Sequence, residues 1–148
     1  MRAALLALLL VAACAIGCAR KPADATPEGA LELFLQALDD TSHDPSANAR
    51  AYALLDPASR ESLRVRAARA TSITGKALVA DQMLAPVWSS PRFAIERMHA
   101  EIDGTGARAM VDVFGADPVM QHVRVPLVRE GEAWRVEMGL TGVEGKGG

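Results

Sequence analysis

The chain has few of the residues that catalytic and metal sites most often use. Its 148 residues include three histidines and two cysteines, and aromatic residues make up 4%. It contains no HExxH, CxxC or GxSxG pattern and no glycine-rich phosphate loop, and no spacing of histidines and carboxylates suggests a metal site. We therefore expect no metal ion and no cofactor, and these absences weigh against an enzyme.

Positive charge is not in excess either. Sixteen lysines and arginines face 18 aspartates and glutamates, for a formal net charge of −2. Domains that bind nucleic acid are normally strongly basic, so DNA or RNA is not an expected partner. The length suggests one domain.

Only one long uncharged apolar run is present, and it lies at the amino terminus. The leucine-rich stretch from Ala3 to Ala13 follows Arg2 and ends before Arg20 and Lys21. It is shorter than the roughly 20 residues that a transmembrane helix needs. The pattern predicts a cleaved export signal over residues 1 to 17.

Two cysteines close this segment, in the sequences VAAC, ending at Cys14, and AIGC, ending at Cys18. Both resemble the lipobox of bacterial lipoproteins, in which the cysteine thiol receives diacylglycerol and the signal is cut just before it. Val11 suits the lipobox better than Ala15 does. Cleavage before Cys18, however, gives a more usual signal length and leaves no unpaired thiol in an oxidising compartment. We expect lipid on Cys18, with Cys14, an ordinary secretory signal and an uncleaved anchor as the alternatives.

The lipoprotein resemblance implies two or three acyl chains, of which palmitate is typical, and so a stable membrane attachment. In some bacteria an aspartate directly after the lipidated cysteine retains a lipoprotein in the inner membrane. In this sequence that position is Ala19. This favours the periplasmic side of the outer membrane in the cell envelope, with the inner membrane as the alternative. Residues 18 to 25 are predicted to be the lipidated cysteine and a linker on the order of 20 Å long.

Three helices are predicted after this linker. Thr26 and Pro27 suit the N-cap and first position of the first helix, and Asp56 and Pro57 suit those of the third. The second helix is expected from about residue 46 to 55, and Gly75 is expected to end the third. The inward positions are Leu31, Phe34, Leu35 and Leu38 in the first helix and Leu63, Ala67 and Ala70 in the third.

From Arg92 onward the apolar period changes to two. Strands are predicted at 92–102, 107–114, 121–129 and 133–138. The alternation breaks between Ile95 and Met98, which predicts a bulge, and Pro126 suggests an edge strand or a bulge. The expected fold is α+β, with about three helices on a curved antiparallel sheet of about four strands. The domain is expected over residues 26 to 140, followed by a disordered glycine-rich tail at 141–148.

Three segments resemble nuclear-transport-factor-2-like domains. The run ALELFLQAL at 30–38 is similar to their first helix, AYALLDPASR at 51–60 to their second helix and its boundary with the third, and the segment 123–136 to their closing hairpin. The resemblance implies a cone-like fold with a pocket between helices and sheet. Such domains include isomerases, dehydratases, hydrolases and non-catalytic modules, so fold alone does not decide function.

Three aromatic residues are candidates to line this pocket, with packing in the core or at the rim as the alternative reading: Tyr52, Trp88 and Trp134. The polar candidates point elsewhere. His99, His122 and Asp112 have a strand parity that faces away from the helices, and His43 lies in a polar loop.

The third predicted helix is basic. Five cations face only Glu61, which indicates either contact with an anionic surface or a solvated helix face. The cations are Arg60, Arg64, Arg66 and Arg69 on the helix and Lys76 just after it.

The leading hypothesis is a membrane-anchored, non-catalytic module that binds a small hydrophobic ligand or a protein. The first alternative is a small isomerase- or hydrolase-like enzyme that uses the pocket. The second is a structural envelope protein that forms homodimers through Met110, Phe114 and Val128 on the outer face of the sheet.

Overall fold

The structure, a computed structural model, describes residues 21–84 and 91–139. The predicted signal, Cys18, Trp88 and the predicted tail lie outside these residues. The helices are α1 (Pro27–Asp39), α2 (Ala47–Ala53) and α3 (Pro57–Thr74). The strands β1 (Arg97–Ile102), β2 (Arg108–Phe114), β3 (His122–Glu130) and β4 (Ala133–Val136) form an antiparallel sheet in sequential order. The predicted α+β fold is confirmed.

The ends of α1 and α3 follow from local hydrogen bonding, as predicted. Thr26 Oγ1 accepts the N–H of Gly29 at 3.1 Å. The two carboxylate oxygens of Asp56 accept the N–H groups of Ala58 and Ser59, each at 3.1 Å. Gly75 ends α3 with φ of +68°, a conformation that costs glycine little. The second helix is shorter than expected at each end.

The core lies between α1 and the inner face of the sheet. Leu31 and Phe34 of α1 are completely buried, as are Val111 and Val113 of β2, which confirms the predicted alternation of that strand. The other strands contribute to the same core through Val125, Leu127, Trp134 and Val136.

The first strand differs from the prediction. Pairing with β2 runs without interruption from Arg97 opposite Phe114 to Ile102 opposite Ala109. The bulge predicted between Ile95 and Met98 is therefore wrong, as is the predicted start at Arg92. Because β2 ends at Phe114, residues before Glu96 have no partner along the ladder, and their uneven apolar pattern belongs to the approach to the strand.

Pro126 lies on an interior strand, opposite Met110, in a continuous register, so neither the edge strand nor the bulge predicted from it is found. The β3–β4 ladder ends with Leu127 opposite Val136. The carbonyl of Pro126 accepts the N–H of Glu137 at 2.9 Å just beyond that last pair. A backbone N–H at position 126 would point to the same side of β3 as this carbonyl, beyond the last β3–β4 pair. Because proline has no N–H, no hydrogen bond to Ala133–Val136 is lost.

Both outer edges of the sheet have partners. On β4, Val136 accepts the N–H of Asp56 at 3.0 Å and donates to the carbonyl of Leu54 at 2.9 Å. On β1, the Ala100 N–H donates to the carboxylate of Glu28 in the first turn of α1, at 3.0 Å. Polar groups from the helical layer thus satisfy part of each edge, which reduces the tendency of exposed strands to pair with other chains.

A short turn precedes α1 and contacts the sheet. Residues Ala23–Ala25 form a 3-10 turn, and Asp24 in this turn forms an ion pair of 2.7 Å with Arg135 of β4. Both side chains are largely shielded from solvent. A specific ionic contact thus attaches residues 23 to 25 of the predicted linker to the sheet.

Candidate functional site

Two of the three predicted pocket residues, Tyr52 and Trp134, are described, and both pack against neighbouring elements. Trp134 is 2% exposed and belongs to the core between α1 and the sheet. Tyr52 is half-buried, and its hydroxyl donates to the carbonyl of Arg60 at 3.2 Å. Trp88 lies outside the described residues. For Trp134 the structure favours the core-packing alternative.

A cluster of polar side chains around a buried carboxylate lies on the opposite, outer face of the sheet. Asp112, in the middle of β2, is 9% exposed. Its Oδ1 atom lies 2.6 Å from Nε2 of His122 and 3.1 Å from Nε of Arg124. The outward direction predicted for Asp112 and His122 is confirmed, but their pairing was not anticipated.

The register of β2 and β3 brings these residues together. Asp112 lies directly opposite Arg124, and Phe114 lies directly opposite His122. Asp112 and His122 are therefore diagonal neighbours on one face, within reach of side chains of this length. The only sequence signal for the contact was their shared parity, which does not specify the register.

Aromatic contacts hold His122 from the other side. Its ring stacks on Phe114 with centroids 4.5 Å apart and planes 6° apart. The guanidinium of Arg97 lies 4.6 Å from the centre of the Phe114 ring. We call the resulting set the outer-face cluster: Arg97, Asp112, Phe114, His122 and Arg124.

The cluster presents a held carboxylate, an imidazole and two guanidinium groups on an open sheet face. Catalytic sites gain much of their electrostatic strength by excluding water, which an open face does not do. Such a surface is better suited to recognising a polar or charged partner. No group of three or more metal-ligating side chains is found within 21–84 and 91–139.

Two depressions lie near the sheet. The first, of about 380 Å³, adjoins the outer-face cluster and is lined by Glu101, Ile102, Arg108 and Met110 among others. The second, of about 940 Å³, separates α1 from residues 91 to 98. Both are open to solvent rather than enclosed, and neither includes Tyr52 or Trp134.

The cations of the basic helix separate into two groups. Arg60 lies 3.2 Å from Glu130 at the β3–β4 turn, and Arg64 pairs with Glu61 on the same helix. Arg66 and Arg69 take part in none of the ion pairs found among the described residues, and neither does Lys76. The four arginines predicted as an anion-binding surface therefore do not act alike.

Arg60 belongs to a chain of ion pairs that reaches the start of the domain. Glu130 contacts Arg60 through Oε1 and Arg135 Nε through Oε2, the latter at 3.4 Å. Arg135 in turn contacts Asp24. The residues that follow the predicted lipidation segment are thus connected ionically to the first turn of α3.

Two carboxyl groups outside these networks, Asp44 and Asp103, have pKa values lowered by hydrogen bonds from neighbouring residues. Hydrogen bonds from Arg50 and Ser46 lower the pKa of Asp44 to about 2. A hydrogen bond from Thr105 lowers the pKa of Asp103 below its usual value. Both groups are solvent-exposed and organise turns.

Comparison of the chain with protein-family models, curated proteins and solved structures finds no match. Within the described ranges, no helix combines the length and apolar character needed to cross a bilayer.

Proposed function

We propose that the chain is a lipoprotein of the bacterial cell envelope, anchored through diacylglycerol on Cys18 and presenting a non-catalytic binding domain. The anchor is supported by the export signal and the lipobox-like AIGC sequence. The start of the domain fits such an anchor, because the turn at Ala23–Ala25 follows Cys18 after only four intervening residues.

The observation that carries the non-catalytic role is the packing of the interior. Phe34 and Leu55 are fully buried and Trp134 is nearly so, and the two depressions near the sheet are open to solvent rather than enclosed. The cluster around Asp112 lies instead on the outer face of the sheet. This arrangement favours recognition of a partner at the surface over chemistry in an interior pocket.

We also propose that the domain is nuclear-transport-factor-2-like. The support is the order of its elements, with three helices followed by an antiparallel four-stranded sheet. The segments that carry the resemblance contribute to α1, to the boundary between α2 and α3, and to the β3–β4 hairpin.

Paired cysteine variants test the anchor. The chain is expressed in a bacterium with two membranes in the presence of labelled palmitate, and the mature protein is analysed by mass spectrometry. Cys14→Ala should still be labelled and begin at Cys18. Cys18→Ala should remain an unlabelled precursor. The reverse pattern would place the lipid on Cys14, and palmitate in neither protein would reject the lipoprotein proposal.

Density separation of the membranes then distinguishes an outer-membrane location, which we propose, from an inner-membrane one.

A small enzyme is the second candidate, and the hydrogen bond between Asp112 and His122 is the observation that favours it. A carboxylate that orients an imidazole is a common element of general acid–base catalysis. Loss of an activity in His122→Gln, with retention in His99→Gln, would support this candidate. His99 is the matched control because it also lies on the outer face, opposite Asp112 on β1.

A homodimer through the outer face is less well supported. Phe114, one of the three apolar residues predicted to form that interface, is covered within its own chain by His122 and Arg97. Met110 and Val128 are half-buried. Sedimentation of the mature protein as a monomer would reject the dimer.

A further inference from the structure

We propose that the solvent-facing strip of α3 lies on the anionic headgroups of the bilayer to which the chain is anchored. The strip consists of Val65, Arg69 and Ile73, with Lys76 just after the helix end. This inference rests on the proposed lipoprotein function and adds to it an orientation of the domain.

The strip follows from helix geometry. Val65, Arg69 and Ile73 are separated by four residues each, so they follow one another along one side of α3. The inward side of the helix is carried by Leu63 and Ala67, which are buried. Val65 is 57% exposed and Ile73 is 75% exposed. Two large aliphatic side chains are therefore exposed beside cations on one helix face.

The charge of this helix contrasts with that of the chain. Residues 57–76 carry five cations and one carboxylate, whereas the whole chain has a formal net charge of −2. Other arginines, such as Arg50 and Arg124, are each paired with two carboxylates. Among the described residues no carboxylate is paired with Arg66, Arg69 or Lys76. Positive charge is thus available for an external anion on this face.

The anchor brings this face to a membrane. The ion pairs from Asp24 through Arg135 and Glu130 to Arg60 connect the start of the domain to the first turn of α3. Cys18 lies six residues before Asp24, so the lipid cannot be far from that end of the helix. The strip begins at Val65, about 8 Å along the helix from Arg60, and reaches Ile73 about 20 Å from it. Because the tether is short, the bilayer is the nearest large anionic surface for this basic and partly apolar face.

The composition of the strip matches interfacial binding. Amphipathic helices on membranes place aliphatic side chains at the boundary of headgroups and acyl chains, with cations beside them. Each cation close to an anionic surface adds a favourable electrostatic contribution that falls off within a Debye length.

A single fluorescent label tests the orientation. Cys18 is thioether-linked in the lipidated mature protein, so Ile73→Cys provides one free thiol for an environment-sensitive dye. The labelled protein is reconstituted into vesicles of phosphatidylcholine alone or with phosphatidylglycerol, each containing lipids with a quencher near the headgroup. We expect clear quenching in vesicles that contain phosphatidylglycerol, weaker quenching in phosphatidylcholine alone, and loss of the difference at high salt.

Two control proteins and one test variant complete the experiment. Ala49→Cys places the dye on the exposed surface of α2 and should show little quenching in either vesicle. Arg69→Glu combined with Ile73→Cys should lower the equilibrium constant for contact with the headgroups by roughly thirtyfold and so reduce quenching, because reversal of one charge removes an attraction and adds a repulsion of similar size. Arg92→Glu, another exposed arginine without an ion pair among the described residues, should leave quenching at position 73 unchanged. Circular dichroism verifies that each variant is folded.

The outcomes separate the two proposals. Mass spectrometry reports the lipid, and its absence rejects the anchor whatever the dye shows. In lipidated protein, equal quenching at positions 49 and 73, or quenching at 73 that is unaffected by Arg69→Glu, overturns the proposed orientation. Energy transfer between differently labelled copies without lipid quenching assigns the strip to a second copy of the chain and also overturns it.

Discussion

The Nε2 atom of His122 lies 2.6 Å from Oδ1 of Asp112, on the face of the sheet opposite α1. The same oxygen is 3.1 Å from Nε of Arg124. The side chains of Arg124 and His122 thus shield from water a carboxylate in the middle of a four-stranded sheet. The burial of Asp112 therefore depends on these two neighbours.

Asp112→Asn should therefore destabilise the domain. The amide cannot accept charge-assisted hydrogen bonds from both Arg124 and His122, and hydrogen bonds to charged groups contribute about 1.5–3 kcal/mol. We expect a loss of about 1–3 kcal/mol in the free energy of unfolding, measured with urea. Glu101→Gln is the control, since Glu101 is exposed and lies 3.8 Å from Arg124, where ion pairs contribute about 0–1 kcal/mol. Equal effects of the two variants would contradict a special role for the cluster.

Trp134→Ala should cost much more, because the indole is buried against the core. Removal of a large buried aromatic side chain typically costs about 3–5 kcal/mol. Tyr52→Phe removes only the hydroxyl that donates to Arg60 and should cost about 0.5–1.5 kcal/mol. Thermal and urea unfolding measure both. A near-neutral Trp134→Ala, with binding of a small apolar ligand in the vacated volume, would instead support a pocket at this position.

Glu28→Ala should weaken the edge of the sheet. The substitution leaves the Ala100 N–H without its carboxylate acceptor and removes a negative charge from the first turn of α1. We expect a loss of about 1–2 kcal/mol and faster hydrogen exchange at Ala100. Glu32→Ala, one turn further along α1 on an exposed side chain, should change stability by less than about 0.5 kcal/mol. Unchanged exchange at Ala100 in Glu28→Ala would show that the bond does not protect the edge.

Titration of Asp44 should show a midpoint at about pH 2, well below the ordinary aspartate value of 3.8. The depressed pKa means that the ionised form is favoured in the folded state. Its contribution to stability is complete above about pH 4 and is lost as the pH falls through the folded value. Arg50→Gln should raise the pKa of Asp44 toward 3.8. Carbon-13 NMR of the carboxyl groups measures both midpoints.

Asp103 provides the internal control for this titration. A hydrogen bond from Thr105 lowers the pKa of Asp103, and Thr105 makes no contact with Asp44 or Arg50 that lowers the pKa of Asp44. Arg50→Gln should leave Asp103 unchanged, and Thr105→Val should raise the pKa of Asp103 alone. A shift of both carboxyls in either variant would indicate a global change of structure.

Helix ends were predictable because the signals are local. Thr26 with Pro27, Asp56 with Pro57, and Gly75 each act on backbone groups within a few residues, and the structure shows those hydrogen bonds and angles. Strand ends were less predictable because they depend on the partner. The start of β1 is set by the end of β2 at Phe114, which no pattern within residues 92 to 97 encodes.

The candidate sites show the same division. Parity was sufficient to direct Asp112 and His122 away from the helices, but their contact depends on the register of two strands. The basic character of α3 was readable from composition. That Arg60 is paired and Arg69 is available depends on where the distant turn at Glu130 lies, which is a matter of tertiary structure.

The attachment of Asp24 to Arg135 also sets a length. With the domain beginning at Ala23, the five residues from Cys18 to Pro22 reach at most about 18 Å when fully extended. On a chain lipidated at Cys18, the domain is confined to a thin layer above the bilayer and encounters other molecules by lateral diffusion. Its effective concentration toward neighbours in the same membrane is then high, while sites deeper in the surrounding compartment are out of reach.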